Sequence, residues 1–184
     1  VKLNYSTELS KKQNYGRPDM MTADEYRNRT DVNIIDYGQN ADWWDALLQK
    51  DNFSQKHHLS LELGTENAQV YTSFFYETNE GITIKDNRKD YGGRLNANFK
   101  LFDGWLEIRP IVDYRQTART SDGSDEDKKA NFKQALYNNP TRSPFDPESP
   151  SGYNVWTGET LDYNIVADRM LSDYEGLDKW FKPE

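Results

Sequence analysis

Two adjacent histidines and one acidic run are the residues of this chain that could most readily bind a metal ion. His57 and His58 lie in an alternating segment, where neighbouring side chains point to opposite faces of a strand and cannot share one ion without distortion. The run from Asp122 to Asp127 has a loose likeness to a calcium loop, but it lacks the spaced ligands and terminal glutamate of an EF-hand. A solvated loop is favoured over a calcium site, and we expect neither a resident metal nor a cofactor.

The sequence has no recognisable catalytic grouping. It contains no cysteine, and no Ser, His and Asp constellation or phosphate-binding glycine loop stands out. Because there are 31 acidic residues, carboxylate pairs occur by chance, and the choice of a glycosidase pair would be arbitrary. We therefore predict no enzymatic activity.

Aromatic side chains offer a different chemistry, the binding of apolar ligand faces. Trp43 and Trp44 could stack on sugar rings, although an anchoring role at the rim of a barrel is favoured for them. Tyr91 and Trp156 complete the set of residues that we predict as substrate or rim contacts.

Composition limits the partners and the fold class. The net charge of −8, with 23 basic residues interleaved among the acidic ones, argues against nucleic acid, because phosphate backbones are bound by clustered Lys and Arg. Only 35% of the residues are hydrophobic, which is low for a compact soluble core, where about 45–50% is usual. The aromatic content of 14% nevertheless argues against disorder. Since no apolar run is long enough for a membrane-spanning helix, any crossing of a membrane would require strands.

Alternation of apolar and polar residues predicts the elements that carry these side chains. The cleanest case sets Leu95, Ala97 and Phe99 against their polar neighbours. Short turns are predicted at 64–67 and 102–105, where the second contains an Asp-Gly pair. The predicted strands lie near 1–10, 57–64, 69–78, 90–102 and 105–118.

Between and after these strands the pattern predicts long links with short helices. Thr22 and Glu25 have the spacing of a capping box, and Asp42 could cap a helix that carries the two tryptophans. Residues 121–184 are predicted to be a long loop region with a helix near 125–137 and weak helical character from Asp168 to Trp180.

The predicted fold is all-β with minor helix: antiparallel up-and-down strands that form part of a large transmembrane β-barrel with long extracellular loops. Alternation alone fits a β-sandwich equally well. Short turns that alternate with long links favour the barrel, because outer-membrane barrels have short turns on one side of the membrane and long loops on the other.

Several segments resemble, in order, the first barrel hairpin of the SusC-like (SusC/RagA family) TonB-dependent outer-membrane transporters. They are residues 42–47 (DWWDAL), 53–61 (FSQKHHLSL), 64–67 (GTEN), 71–76 (YTSFFY) and 80–82 (EGI). Residues 91–96 resemble the family's next strand, residues 21–26 its segment after the plug, and residues 139–141 a later extracellular loop. The likeness covers most of residues 1–145.

The resemblance implies a fragment of an energised importer of oligosaccharides or peptides in the outer membrane of a Gram-negative bacterium. Such transporters have an N-terminal plug that TonB contacts, a barrel of about 22 strands, and often a SusD-like surface lipoprotein as a lid. The fragment would hold the end of the plug connection and the first barrel strands, in contact with membrane lipid. The alternative is a secreted all-β carbohydrate-binding module, and a weaker third hypothesis is a hydrolase domain that uses the acidic loops.

Overall fold

Seven antiparallel strands form one open sheet in the computed structural model, which describes residues 1–31, 33–120, 132–156, 163–172 and 176–183. Neighbours in the sheet follow the order β1-β2-β3-β4-β6-β7, and β5 pairs with the end of β4. The strands are β1 (Lys2–Lys11), β2 (Phe53–Gly64), β3 (Ala68–Glu80), β4 (Asn87–Leu101), β5 (Leu106–Ile108), β6 (Ile111–Arg119) and β7 (Gly176–Pro183). The predicted all-β class with up-and-down antiparallel strands and few short helices is confirmed.

Short helices lie in the links between the strands. They are α1 (Ala23–Arg27), α2 (Trp43–Leu47), a helical segment at residues 132–137, and α3 (Ile165–Leu171). The predicted capping box is present, because the Glu25 backbone N–H donates to Thr22 Oγ1 and the Thr22 N–H donates to Glu25 Oε2. Asp42 caps α2 by accepting from the N–H of Asp45 at 3.0 Å. None of the helices in the described ranges has the length and apolar character needed to cross a membrane.

The strand at 176–183 corrects the assignment of residues 121–184 to a loop region. The weak helix expected from Asp168 to Trp180 is instead α3 followed by β7, which pairs with β6 from Val112 to Arg119. The alternation of apolar and polar residues in β7 is interrupted, because Lys179 lies among the apolar positions and Trp180 among the polar ones. Of the helix expected near 125–137, residues 132–137 are helical, and residues 125–131 lie outside the described ranges.

The strand expected over 105–118 is divided at Arg109 and Pro110 into β5 and β6. Proline has no N–H to donate to a neighbouring strand, so the ladder is interrupted there, although the Pro110 carbonyl still accepts from Ala97 at 3.0 Å. Both β5 and β6 pair with β4, and the direction of the chain is unchanged across the break.

All the long links leave the sheet at one end, and both short turns lie at the other. The turns at 65–67 and 102–105 close the β2–β3 and β4–β5 connections, as the sequence predicts. Links 12–52, 81–86 and 120–175 join β1 to β2, β3 to β4 and β6 to β7 at the opposite end. We call these the turn end and the link end of the sheet.

Two Phe–Gly pairs join β3 to β4 at the middle of the sheet. Phe74 pairs with Gly93 and Phe75 pairs with Gly92, so one phenylalanine covers a glycine on each face. The Phe74 ring comes within 3.1 Å, and the Phe75 ring within 2.8 Å, of the point where the Cβ atom of the facing residue would be. A side chain at either position would displace the ring that covers it.

We expect Gly92→Ala to destabilise the sheet by about 3 kcal/mol, because the added methyl group would lie 2.2 Å from the backbone oxygen of Tyr114. Gly64→Ala in β2 is the matched control, since its nearest contact would be an ordinary 3.5 Å from Gln69 Cγ. Denaturant unfolding in a detergent that maintains the fold measures the difference. Equal midpoints for the two variants would contradict the close approach of β4 to β6.

Candidate functional site

The sheet has one apolar face and one polar face. Residues that pair across antiparallel strands place their side chains on the same face, so the register assigns every position. One complete row across the sheet is Tyr5, Leu59, Phe74, Gly93, Tyr114 and Phe181. The row directly beyond it, on the other face, is Ser6, His58, Phe75, Gly92, Arg115 and Trp180.

Both faces of the sheet are open, so the apolar face is exposed, unlike the inner face of a sheet that packs on a soluble core. Tyr5, Phe74 and Phe181, all in the same row, are 61%, 58% and 62% exposed. On the polar face the long side chains of Arg94 and Arg115 are likewise exposed, whereas the shorter Ser60 and Asp90 are buried. No described helix packs on the strands of the apolar face, because every element pair with substantial contact is a pair of strands.

A buried carboxylate ties β4 to β6 on the polar face. Arg88 donates from Nε to Asp90 Oδ2 at 2.6 Å, and Arg115 donates from Nη2 to Oδ1 at 2.9 Å. The Thr117 hydroxyl also donates to Oδ1, at 2.5 Å. Charge-assisted hydrogen bonds of this kind are about twice as strong as neutral ones, and those from Arg115 and Thr117 cross from β6 to β4.

These hydrogen bonds decide the ionisation of Asp90. Burial by itself would raise the pKa of this carboxyl group, but the hydrogen bonds from Arg88, Thr117 and Arg115 outweigh it and lower the pKa to about 2. Asp90 therefore stays ionised at all but strongly acidic pH. Two further ion pairs on this face join Arg94 to Asp113 at 3.6 Å and Lys56 to Glu77 at 3.5 Å.

A small apolar core lies at the link end, outside the sheet. It brings together Trp43 and Leu47 of α2, Ala135, and Ile165 and Val166 of α3. We call this folded assembly of the links the cap. Among the described residues it holds the buried apolar side chains that the sheet lacks.

Buried polar side chains connect the cap to the strands. Arg169 of α3 is 5% exposed and donates from Nη2 to the carbonyl oxygen of Ile84, in the β3–β4 link, at 2.9 Å. Asn164 caps α3 and donates from Nδ2 to the carbonyl oxygens of Pro144 and Asn154, both at 2.7 Å. Each of these bonds holds a link backbone in place, because a buried carbonyl without a donor is unfavourable.

A cleft of about 590 Å³ lies within the cap, between residues 17–43 of the first link and residues 136–140 of the last link. Its wall includes the Asn138 side chain, whose Oδ1 accepts from Gln134 at 2.8 Å while its amide nitrogen has no partner in the described part of the chain. A buried donor of this kind suits an acceptor such as water or a ligand oxygen. Six of the lining residues are Tyr26, Arg29, Asp42, Trp43, Tyr137 and Asn138.

The structure brings together two of the four aromatic residues predicted as substrate or rim contacts. Trp43 is 1% exposed, its Nε1 donates to the Asn139 carbonyl at 3.0 Å, and its ring meets Trp156 edge-on at 5.9 Å between centroids. The other face of Trp156 is not free, since the Arg142 guanidinium lies 3.5 Å from a Trp156 ring centroid. Both rings thus stabilise the cap.

The other two predicted residues lie apart from this pair. Trp44 packs against Phe132 at 4.6 Å between ring centroids, with its Nε1 buried and unpaired among the described groups. Tyr91 is on the apolar face of β4, opposite Tyr76 of β3, so it lies at a rim of that face and away from the cleft. Their proposed contacts with a substrate remain predictions.

The histidines are separated as the alternation predicts. His57 is on the apolar face, where its Nδ1 lies 2.7 Å from the Tyr5 hydroxyl, and His58 is on the polar face. No group of three or more potential metal ligands occurs among the described residues. The acidic run Asp122 to Asp127 lies outside the described ranges.

Sequence reasoning missed the Asp90 network. The signal that could have found it is the spacing of Arg88 and Asp90, two residues apart in a strand and so on one face. Arg115 and Thr117 have the same spacing, but only the register of β4 against β6 brings the four residues together.

No protein-family model, curated protein or solved structure matches this chain.

We expect Asp90→Asn to remove an acid-sensitive part of the free energy of unfolding. The pKa of Asp90 is lowered on folding, so its contribution is complete above the unfolded pKa of 3.8 and is lost as the pH falls towards 2. The original chain should therefore lose about 2 kcal/mol more than the variant between pH 5 and pH 2. Denaturant unfolding at a series of pH values measures this loss.

Asp103→Asn, in the exposed turn after β4, is the control, and its stability curve should run parallel to that of the original chain. Parallel curves for Asp90→Asn as well would contradict the charge-assisted network.

Proposed function

We propose that this chain forms part of the wall and the surface loops of an outer-membrane importer of the SusC-like, TonB-dependent kind. The observation that carries the proposal is that one exposed face of the sheet is mostly apolar while the other face is mostly polar. An exposed apolar sheet face is favourable when it contacts lipid, and the opposite, polar face is suited to contact with water or a polar plug.

The height of the apolar face fits a bilayer. On β4 the apolar positions run from Tyr91 to Leu101, a distance of about 34 Å along a strand. At the tilt of about 45° that is usual in membrane barrels, this corresponds to a band about 25 Å tall. A sheet designed for water would not need an apolar face of this extent.

Aromatic side chains border the band at both ends. At the turn end, Phe102 and Trp105 are 73% and 83% exposed and meet edge-on. At the link end, Tyr76 pairs with Tyr91 on the apolar face. Amphipathic rings at two levels are the arrangement expected at the two membrane–water interfaces.

In this proposal the cap faces the outside of the cell and gates or contacts the imported oligosaccharide or peptide. The cleft beside Tyr26 and Asn138 is the candidate contact surface. A SusD-like lipoprotein would cover the link end, and TonB would act through a plug. The wall itself performs no catalysis.

A secreted carbohydrate-binding module is the alternative, and the same cleft favours it, because aromatic rings and an unpaired amide donor suit a saccharide. The alternative requires the chain to be monomeric, cooperative in its melting and able to bind saccharides in detergent-free buffer. Light scattering, circular dichroism and calorimetric titration with a saccharide panel would establish those three properties.

The proposal predicts that neighbouring residues of β3 alternate between lipid and water. Since the sequence has no cysteine, single substitutions can carry a spin label without further change. In lipid vesicles we expect labels at Thr72→Cys and Val70→Cys to collide mainly with oxygen. Labels at Ser73→Cys and Tyr71→Cys should collide mainly with a water-soluble nickel complex.

The quantity measured is the accessibility of each spin label to oxygen and to the nickel complex. Labels at Asp103→Cys, in the turn, serve as the reference for full exposure to water. Uniform water accessibility along β3 would contradict the proposed barrel wall and would favour the carbohydrate-binding module.

A further inference from the structure

The charged residues of the apolar face are concentrated at its link end. Lys89 of β4 and Lys179 of β7 lie on this face, and Lys11 ends β1 on the same side. Lys89 is one row beyond Tyr91, towards the links, and its Nζ lies 5.4 Å from the centroid of the Tyr76 ring. The cations therefore stand directly beyond the aromatic border of the apolar band.

Carboxylates are scarce at the same level of this face. Among the described residues of the seven strands, the one acid on the apolar face is Glu80, at the end of β3, which accepts from the Gln49 amide at 2.9 Å. Lys89 and Lys179 form no salt bridge with any described residue. This margin of the face thus carries a local positive charge on a chain whose net charge is −8.

A groove runs down the apolar face from this margin. It has a volume of about 540 Å³ and lies beside the Phe74 ring, which covers Gly93. Phe74 stands on one side, with Val112 and Tyr114 on the other, and Leu95 continues the apolar lining towards the turn end. Tyr91 lines the groove at the link end, and Lys89 is the next residue of β4 beyond Tyr91 on the same face.

The groove and the lysines have the spacing of a lipid with a charged head group. Gly93 is four residues from Lys89, which is about 13 Å along a strand. Lys179 is two strands from β4 and one row nearer the groove, so the two lysines are about 12 Å apart at the backbone, a separation that their long side chains can narrow once Lys89 leaves the Tyr76 ring on β3. A phosphate held between them would leave its acyl chain in line with the groove.

We propose that this surface is a binding site for a phosphate-bearing lipid, with one acyl chain in the groove beside Phe74 and the phosphate between Lys89 and Lys179. The site rests on the proposed function, because only a wall in contact with a bilayer presents this face to lipid. Charge complementarity decides the class of lipid: a zwitterionic head group gains little from two unpaired lysines, whereas an anionic one gains from both.

The test compares vesicles of phosphatidylcholine with vesicles that also contain an anionic phospholipid. The folded chain is reconstituted at low salt, and the lipids that remain bound after transfer to detergent are weighed by native mass spectrometry. We expect enrichment of the anionic lipid, with affinity reduced about 5-fold by Lys89→Gln or Lys179→Gln alone. The double variant should lose about 25-fold if the two contributions add.

Lys100→Gln is the matched control, because it removes the same charge from the polar face of the same strand. Its lipid binding should equal that of the original chain. Excess inorganic phosphate should not displace the lipid, and full displacement would reveal a phosphate site that makes no use of the groove.

The two proposals fail in different ways. Equal retention of both lipids, or equal losses in Lys100→Gln and the double variant, would overturn the lipid site while leaving the wall intact. A chain that associates with neither kind of vesicle would overturn the proposed wall and the lipid site with it.

Discussion

The register between β3 and β4 is the constraint on which the remaining structure depends. Side chains alternate along a strand, so a slip of one residue would transfer every apolar group of β4 to the polar face. The Phe–Gly pairs oppose such a slip, since Phe74 and Phe75 each need a facing residue without a side chain. Asp90 opposes it at the next junction, because only one alignment of β4 and β6 joins its carboxylate to Arg115 and Thr117.

The distribution of apolar residues follows from this register. Across the sheet they form an exposed surface, and the buried apolar cluster lies in the cap instead. The sheet is held by its backbone ladder and by ionic hydrogen bonds, whereas the cap is held by packing of Trp43 and Leu47 against α3. The Arg169 contact with the Ile84 carbonyl joins the two parts, so that the β3–β4 link is shared between them.

The sequence predicts local features well and long-range ones poorly. Alternation located six of the seven described strands, with β5 and β6 predicted as one, and the Thr22 and Asp42 caps were predictable because capping depends on residues three apart. β7 was missed because Lys179 and Trp180 interrupt its period. The Asp90 network and the Trp43–Trp156 contact could not be predicted, because they join residues that only the register and the folding of the cap bring together.

The ion pairs of the polar face also determine the electrostatic field that it produces. Lys56 neutralises Glu77, Arg94 neutralises Asp113, and Asp90 offsets one of the two arginine charges around it. Opposite charges a few ångströms apart cancel at a distance, so a solute beside this surface meets many hydrogen-bonding groups but only a weak net field. Such a surface wets readily and attracts or repels a nearby polar molecule only weakly, whatever the sign of that molecule's charge.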